Sequence, residues 1–170
     1  MSKSQSLTVR LSLATVFAAL VTVSTVMIHI PVPATSGYIN VGDAMIFISA
    51  LLFGPIIGGL AGGVGAAMGD IFLGYPEYAF YTLVIKGTEG LITGYVKDGK
   101  SLTRDLIAWI FGSAVMVSGY FIAEAYVMRF GPAIAAVEVP GNIFQVVFGG
   151  VIGIPLSRVL RKSLPSILAS

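Results

Sequence analysis

The chain has 170 residues and a net charge of +2; 56% of its residues are hydrophobic and only 11% are charged, and its mean hydropathy is +0.93. A soluble domain carries about 25% charged residues, so a soluble fold of this length could not cover its surface with so few charges. The composition excludes a cytosolic enzyme, a nucleic-acid binder and a disordered chain, and it predicts an integral membrane protein with a single domain over residues 1–170.

The first predicted membrane span covers residues 7–30 and ends at Pro31 and Pro33. A membrane helix needs about 20 mostly apolar residues, and this run meets that length. The run is too long for a cleavable signal peptide, and further hydrophobic spans follow it. A polar, turn-rich segment at 34–40 is predicted as an outer loop, and a short second span follows it at 41–53.

Four more spans follow, separated by Gly-Pro turns or charged loops. The third span ends at the turn Gly74-Tyr75-Pro76, and the fourth contains Lys86 and Glu89. These four spans cover residues 56–73, 78–96, 105–128 and 141–160. The sequence therefore predicts an all-α integral membrane protein, a compact bundle of six transmembrane helices with an outer loop between helices 1 and 2.

Basic residues indicate the orientation, because Lys and Arg collect in cytoplasmic loops. With the N-terminus in the cytoplasm, eight of the ten Lys and Arg residues lie inside. These eight are Lys3, Arg10, Lys97, Lys100, Arg104, Arg158, Arg161 and Lys162. We therefore expect a multi-pass protein of the cell membrane with both termini in the cytoplasm.

Small residues recur four apart in the first and third spans. The third span is rich in glycine between Gly58 and Gly69, and the first span places Ala14 and Ala18 four apart with Ala19 beside them. Such spacing lets helix backbones approach closely in lipid. Two interpretations remain open: packing inside the bundle, or a docking surface for another membrane subunit.

Ionisable groups inside spans usually face the protein interior. The candidates are His29, Asp43, Asp70, Lys86, Glu89 and Glu124. Lys86 and Glu89 are three apart and share a helix face, so they either pair with each other or leave Glu89 to face a ligand. Asp43 and Asp70 both lie at outer ends of spans, which makes them possible neighbours.

Polar groups at the outer ends of the last three spans form a second set of candidates. Tyr81 belongs to the fourth span and Glu124 to the fifth, where Glu124 is either an interfacial carboxylate or a ligand contact. Asn142 and Gln145 are three apart and either satisfy the backbone or bind the donor and acceptor edge of a heterocycle. The outer loop with Asn40 either covers a cavity or only connects two helices.

No catalytic or metal-binding arrangement is predicted. The chain has no Cys and one His, which excludes disulfides, thiol catalysis and a multi-histidine metal site. The glycines at 59–65 lack the Lys-Ser/Thr of a nucleotide-binding loop. We therefore expect no enzymatic activity, no cofactor, and no means of powering transport without partners.

Several motifs in a fixed order resemble a known family. They are the Ala14-x-x-x-Ala18 strip, Tyr38-Ile39-Asn40-Val41-Gly42-Asp43-Ala44, Leu52-Phe53-Gly54-Pro55-x-x-Gly58, the glycine-rich third span ending in Gly69-Asp70, Lys86-Gly87-x-Glu89-Gly90, and Pro140-x-Asn142-x-x-Gln145. With these motifs the chain resembles the substrate-binding S components of energy-coupling-factor (ECF) transporters. It is most similar to the riboflavin-type group, which includes proteins assigned to hydroxymethylpyrimidine, pyridoxine and queuosine-precursor uptake.

The resemblance implies a protein that captures a vitamin-like ligand outside the cell and associates with a membrane-embedded T subunit and two cytoplasmic ATPases. It implies docking on the T subunit through Ala14 and Ala18. The ligand contacts that it implies are Tyr38, Asn40, Tyr81, Glu89, Glu124, Asn142 and Gln145. Glu89 matches a motif but lies deep in the membrane.

Two other classes of function compete with this one: a membrane assembly or scaffold protein without a small-molecule ligand, and a small intramembrane enzyme. A gene next to genes for the ATPases and the T subunit would favour the transporter. The absence of any vitamin-dependent change in fluorescence or thermal stability would count against it. The identity of the vitamin is left open by the sequence.

Overall fold

The structure, a computed structural model, describes residues 7–163. Six α-helices and one β-hairpin make up this part of the chain, and Lys3 of the predicted basic set lies outside it. The elements in chain order are α1 (Leu7–Met27), β1 (His29–Val32), β2 (Gly37–Asn40), α2 (Asp43–Phe53), α3 (Pro55–Leu73), α4 (Pro76–Val96), α5 (Leu102–Ile122) and α6 (Pro132–Ser163). A π-helical turn at Ala123–Val127 extends α5.

Four of the helical segments are long and apolar enough to cross a membrane: Leu7–Met27, Pro55–Leu73, Leu102–Val127 and Pro132–Ser163. The other two helices, α2 and α4, do not meet these conditions of length and hydropathy, each for its own reason. Helix α2 has only 11 residues, and α4 contains Lys86 and Glu89, which lower its hydropathy. The structure is therefore mostly helical and consistent with a membrane protein, while the count of six spans stays a prediction.

The sixth helix begins earlier than the sequence pattern predicts. It starts at Pro132 instead of near Gly141, so the expected loop between them is helical. Pro132 fits the first turn, where a backbone N–H has no helical partner. Pro140 lies inside the helix, a position that membrane helices tolerate more often than soluble ones. As a result, Glu138 lies on a helix and is buried.

Glycines let α3 pack closely against α4 on one side and α1 on the other. A Cβ atom built on Gly90 of α4 would collide with the backbone carbonyl of Gly58 in α3. A Cβ atom on Gly65 of α3 would meet the backbone of Ala18 in α1. The glycine pattern of the third span is thus used for packing inside the bundle, the first of the two interpretations above.

Helix α2 is short because it is the buried centre of the bundle. Ile46, Phe47 and Leu51 are each fully buried, and each belongs to a different hydrophobic cluster. Gly54 ends the helix with a φ of +91°, a conformation that favours glycine and lets the chain reverse at once into α3. The surrounding helices therefore pack on α2 from several sides.

The segment predicted as an outer loop is a β-hairpin. Its strands β1 and β2 pair antiparallel, with His29 opposite Asn40 and Val32 opposite Gly37. The hydroxyl of Tyr78 in α4 donates to the carbonyl of Thr35 at 2.8 Å, which fixes the hairpin turn to the bundle. We call this end of the bundle the hairpin end, and the end with the α4–α5 connection the opposite end.

Candidate ligand-binding site beneath the hairpin

A small polar cavity lies at the hairpin end, between β2 and helices α3 to α6. Its volume is about 20 Å³, which is room for about one water molecule. The lining residues are Gly37, Tyr38, Asn40, Ala66, Asp70, Tyr78, Thr82, Lys86, Tyr120, Glu138, Asn142 and Gln145. The hairpin contributes Gly37, Tyr38 and Asn40 to this lining.

Tyrosines and their hydroxyl partners form one side of the cavity. Tyr38 of β2 donates its hydroxyl to Asp70 of α3 at 2.5 Å. Burial, and then the nearby charge of Asp70, raise the pKa of Tyr38 above its usual range, so this hydroxyl keeps its proton and remains a donor. The hydroxyls of Tyr120 and Thr82 lie 2.9 Å apart. Aromatic rings thus lie next to hydrogen-bonding groups.

Lys86 holds two buried carboxylates from different helices. Its ammonium forms an ion pair with Asp43 of α2 and lies 3.6 Å from Glu89 Oε2, one turn along α4. All three side chains are at most 2% exposed. The predicted pairing of Lys86 with Glu89 is present, but Asp43 is the closer partner. This pairing lowers the free-energy penalty of burying the three charges.

A chain of amides joins the hairpin to α6. The backbone N–H of Asn40 donates to Gln145 Oε1 at 3.0 Å, and Gln145 Nε2 donates to Asn142 Oδ1 at 2.9 Å. The side-chain oxygen of Asn40 accepts the backbone N–H of Gly42 at 2.8 Å. Asn40, Asn142 and Gln145 all line the cavity, so this chain of amides is positioned to meet a ligand.

Two acidic side chains lie close together beside the hairpin turn. Glu138 of α6 accepts a hydrogen bond from the hydroxyl of Thr35 and interacts electrostatically with Glu124 of the π-helical turn. Glu124 is fully buried, and neither of its carboxylate oxygens has a hydrogen-bond partner in the described part of the chain. No group of three or more His, Cys, Asp or Glu side chains within residues 7–163 is arranged to hold a metal ion.

The predicted contacts divide into three groups in the structure. Tyr38, Asn40, Asn142 and Gln145 are brought together and line the cavity. Glu89 and Glu124 are buried behind the lining residues Lys86 and Glu138. Tyr81 is partly exposed, packs against Phe80 at a ring distance of 5.9 Å, and does not line the cavity. The role of all seven residues in ligand binding stays a prediction.

Sequence reasoning left six polar lining residues out of its set of contacts: Asp70, Tyr78, Thr82, Lys86, Tyr120 and Glu138. On α4 the helical spacing could have identified two of them. Tyr78, Thr82 and Lys86 are four residues apart and therefore lie on one face of the helix, whereas Tyr81 lies on another face. Tyr120 is likewise four residues before Glu124. Glu138 had no such signal, because its segment was predicted as a loop.

The predicted docking residues differ in how much of their surface is exposed. Ala14 is only 6% exposed, and Ala18 packs with its backbone against Gly65 of α3. The neighbouring Ala19 is exposed. A shallow apolar groove between α1 and α3 includes Ala18 and Ala19, so this side of α1 remains open to a partner.

A second polar cluster closes the opposite end of the bundle. Buried Asp105 accepts hydrogen bonds from Arg158 at 3.0 Å and Arg161 at 3.3 Å. Lys97 donates to the last carbonyls of α2, those of Leu51 and Leu52, at 2.7 and 2.8 Å. Burial, with a further contribution from the charge of Arg161, lowers the pKa of Lys97 to about 8. This cluster ties α2, α4, α5 and α6 together.

A comparison with known protein families matches nearly the whole described chain. The profile of the family described as "ECF-type riboflavin transporter, S component" matches residues 6–162. This match includes the hairpin and all the helices except the last residue of α6, and therefore all residues of the candidate site.

Curated relatives of this chain come from Pyrococcus, Lactococcus and Streptococcus. An uncharacterized protein of Pyrococcus woesei is 48% identical over 149 residues, which cover 87% of this chain and 99% of the relative. The thiamine precursor transporter HmpT of Lactococcus lactis subsp. cremoris is 31% identical over 156 residues, covering 91% and 89%. A UPF0397 protein of Streptococcus sanguinis is 30% identical over 132 residues, covering 66% and 73%.

Proposed function

The chain belongs to the S-component family of ECF-type riboflavin transporters, and from this premise we propose that it is the substrate-binding membrane subunit of an ECF-type importer. Members of this family are transporter components and not enzymes. The proposed ligand is a heterocyclic vitamin or vitamin precursor, captured from outside the cell at the cavity beneath the hairpin.

The observation that supports this proposal most directly is the closed polar cavity itself. It combines three tyrosine rings with amide, hydroxyl and carboxylate groups from the hairpin and four helices. Ligand sites typically join apolar or aromatic walls to a few well-placed polar groups. A protein with only an assembly role has no need to bury so many hydrogen-bonding groups around a central space.

The hairpin accounts for how the ligand would enter. Its bonds to the bundle run through Tyr38, Thr35 and Asn40. The cavity of about 20 Å³ is far smaller than a typical ligand pocket of roughly 300–1,000 Å³. We therefore take this as a closed conformation, in which the hairpin moves away to admit the ligand and returns over it.

Energy for uptake would come from partners. We propose that a membrane-embedded T subunit docks on α1 near Ala18, and that two cytoplasmic ATPases drive release of the ligand inward. In this orientation the hairpin end faces outward and the basic opposite end faces the cytoplasm. The candidate ligands are riboflavin, hydroxymethylpyrimidine, pyridoxine and a queuosine precursor, and the name of the Lactococcus relative favours a thiamine precursor among them.

Ligand binding by the purified protein tests the proposal. Native mass spectrometry should find a small molecule that copurifies with the protein, and at least one of the four candidate ligands should raise its melting temperature. Tyr120→Phe, inside the cavity, should reduce this thermal shift, whereas Tyr95→Phe, at a site 83% exposed, should not. If no ligand copurifies and no candidate shifts the melting temperature, an assembly protein becomes the better interpretation.

A further inference from the structure

A groove runs between α5 and α6 on the outside of the bundle, near the opposite end; we call it the α5–α6 groove. Its volume is about 370 Å³, within the roughly 300–1,000 Å³ of typical ligand pockets. Helix α5 contributes Leu102, Leu106 and Trp109, and four residues of α6 between Gly150 and Pro155 complete the lining. None of the seven is charged, so the groove suits an apolar occupant.

Trp109 forms the inner wall of the groove. Its indole N–H donates to the carbonyl of Val146 at 2.8 Å, and a Cβ atom built on Gly150 would collide with the ring. The indole therefore lies against the backbone of α6 and does not fill the groove. Leu102 and Leu106 stay 48% and 39% exposed beside it.

Two basic side chains continue the lining of α6 beyond the groove. Arg158 follows Ile154 by four residues and Lys162 follows Arg158 by four, so all three lie along one face of the helix. The side chain of Arg158 is 31% exposed, and Lys162 is exposed. The apolar groove therefore leads directly to two cations at the end of the bundle.

The charges at this end are not balanced. Asp105 accepts hydrogen bonds from both Arg158 and Arg161, and Arg161 also donates to the carbonyls of Gly99 and Leu51. The two arginines carry one positive charge more than the carboxylate that they share, and Lys162 adds another. An anion at the end of the groove would be attracted by this excess.

The distance from the indole to the cations matches the thickness of one leaflet. Gly150, which contacts Trp109, lies eight residues before Arg158, or about 12 Å along α6. The hydrocarbon core of a bilayer is about 30 Å thick, so the chains of one leaflet span about 15 Å. A molecule with an anionic head at Arg158 and an apolar chain in the groove would therefore reach Trp109.

We propose that the α5–α6 groove binds one anionic phospholipid. Its acyl chain lies along Ile154 and Trp109, and its phosphate lies between Arg158 and Lys162. Basic pockets between membrane helices bind anionic lipid headgroups in this way. A zwitterionic lipid would bring its own positive charge to the two cations and bind less well. This site is separate from the cavity beneath the hairpin and does not depend on which vitamin binds there.

Fluorescence quenching by brominated lipids tests the proposal, because Trp109 is the single tryptophan of the chain. The protein is placed in vesicles of equal parts phosphatidylcholine and phosphatidylglycerol, with bromine on the chains of one lipid or the other. The surface charge is then the same in both samples. Brominated phosphatidylglycerol should quench Trp109 more, with a binding constant about 5- to 30-fold higher, the range for one or two basic residues.

A matched pair of variants tests whether the cations of α6 select the lipid. Arg158 is a poor target, because its loss would remove a partner from buried Asp105. Lys162→Gln leaves that contact in place and should lower the preference for phosphatidylglycerol by about 5-fold. Arg104→Gln is the control: Arg104 is exposed at the same end but lies two residues from both Leu102 and Leu106, on another side of α5. This variant should keep the full preference.

Two results would overturn the inference. Equal quenching by the two brominated lipids would show that the groove does not distinguish an anionic lipid from a zwitterionic one. Equal preferences of Lys162→Gln and Arg104→Gln would show that lipid is attracted to the basic end in general and not to the groove. Neither result bears on the proposed function, which concerns the cavity beneath the hairpin.

Discussion

At the scale of single residues, Lys86 is the group on which the buried charges of the site depend. It lies between Asp43 and Glu89, and all three are inaccessible to water. Because a buried charge without a partner is strongly unfavourable, this lysine holds α2 in register with α4. The position of the site in the bundle and the packing of the central helix are therefore linked through one side chain.

Asn142→Ala should weaken ligand binding by about 1–3 kcal/mol, the range for a lost contact to a buried polar group. The expected cause is the loss of an amide from the lining of the cavity. Titration calorimetry with the best ligand measures the effect, and Ile143→Ala, at the next position of α6 and 47% exposed, is the control. Equal affinities of the two variants would place the ligand away from α6.

Lys97 should make stability depend on pH in a defined window. Its pKa is about 8 in the folded protein and 10.5 is the usual value for a lysine. Between these values the unfolded chain holds a proton that the folded protein has released, so raising the pH favours the folded state. Below about pH 8 both states are protonated, and this group adds no pH dependence.

The measurement is the difference in melting temperature between the wild type and Lys97→Met in detergent. As the pH rises from about 8 to 10, the melting temperature of the wild type should increase relative to that of Lys97→Met. A neutral lysine amine still has two N–H groups for the carbonyls of Leu51 and Leu52, so the contacts survive deprotonation. For the control Lys100→Met, at an exposed position, the difference in melting temperature from the wild type should not change with pH. The same pH-independent difference for Lys97→Met would contradict the lowered pKa of Lys97.

At the scale of elements, the contact between α3 and α4 depends on backbone meeting backbone. A Cβ atom on Gly90 would collide with Gly58 O and Gly59 N, neither of which can move as a side chain can. Gly87, one turn earlier on the same helix, would meet its nearest atom at an ordinary 3.5 Å. Gly90 is therefore needed for the close packing of α4 on α3, whereas Gly87 is not, although both are glycines of the same helix.

Gly90→Ala should destabilise the protein by about 1–3 kcal/mol, the usual penalty for overpacking. Gly87→Ala is the matched control and should be neutral or slightly stabilising, because alanine favours a helix by up to about 1 kcal/mol over glycine. Melting temperatures in detergent report both effects. Similar values for the two variants would show that α3 and α4 can separate without loss.

The exposed side of α1 is where a partner subunit can be tested. A substitution at Ala14 would disturb the bundle, since this residue is 6% exposed, so Ala19 is the better probe. Ala19→Trp should abolish uptake in cells that also produce the T subunit and ATPases, while ligand binding by the purified variant stays normal. The control is Ile143→Trp on α6, at a position 47% exposed. Full uptake by Ala19→Trp would exclude this face of α1 from docking.

At the scale of the whole molecule, the two ends of the bundle have opposite electrostatic character. The hairpin end contains the buried carboxylates, and the opposite end contains Lys97, Arg158 and Arg161 around Asp105. Exposed Lys100 and partly exposed Arg158 extend the basic surface there. Basic residues near helix ends favour the cytoplasmic side, which supports an outward-facing hairpin.

Single cysteines can test this orientation, because the chain has none of its own. Ala34→Cys lies in the exposed hairpin turn, and Lys100→Cys lies in the exposed α4–α5 connection. A membrane-impermeant maleimide should label the first variant in intact cells and the second only after the membrane is permeabilised. The reverse pattern would place the hairpin and its cavity on the cytoplasmic side.

The sequence by itself determined the membrane environment, the approximate place of each helix, and the family. Scarce charge and apolar runs are local properties of the chain, and they need no knowledge of which helices are neighbours. The family resemblance also implied four residues that line the cavity: Tyr38, Asn40, Asn142 and Gln145. Tyr38 and Asn40 lie on β2, whereas Asn142 and Gln145 lie inside α6, which begins at Pro132 and not near Gly141 as predicted.

Only the tertiary structure decided which charges meet. Asp43 and Lys86 are 43 residues apart, and Thr35 and Glu138 are 103 apart, so neither pair follows from helical spacing. Tyr81 and Tyr78 differ in role because the rotation of α4 is set by glycine contacts with α3. Burial is a property of the assembled bundle, and it decides which of the polar residues in the sequence come together to form a site.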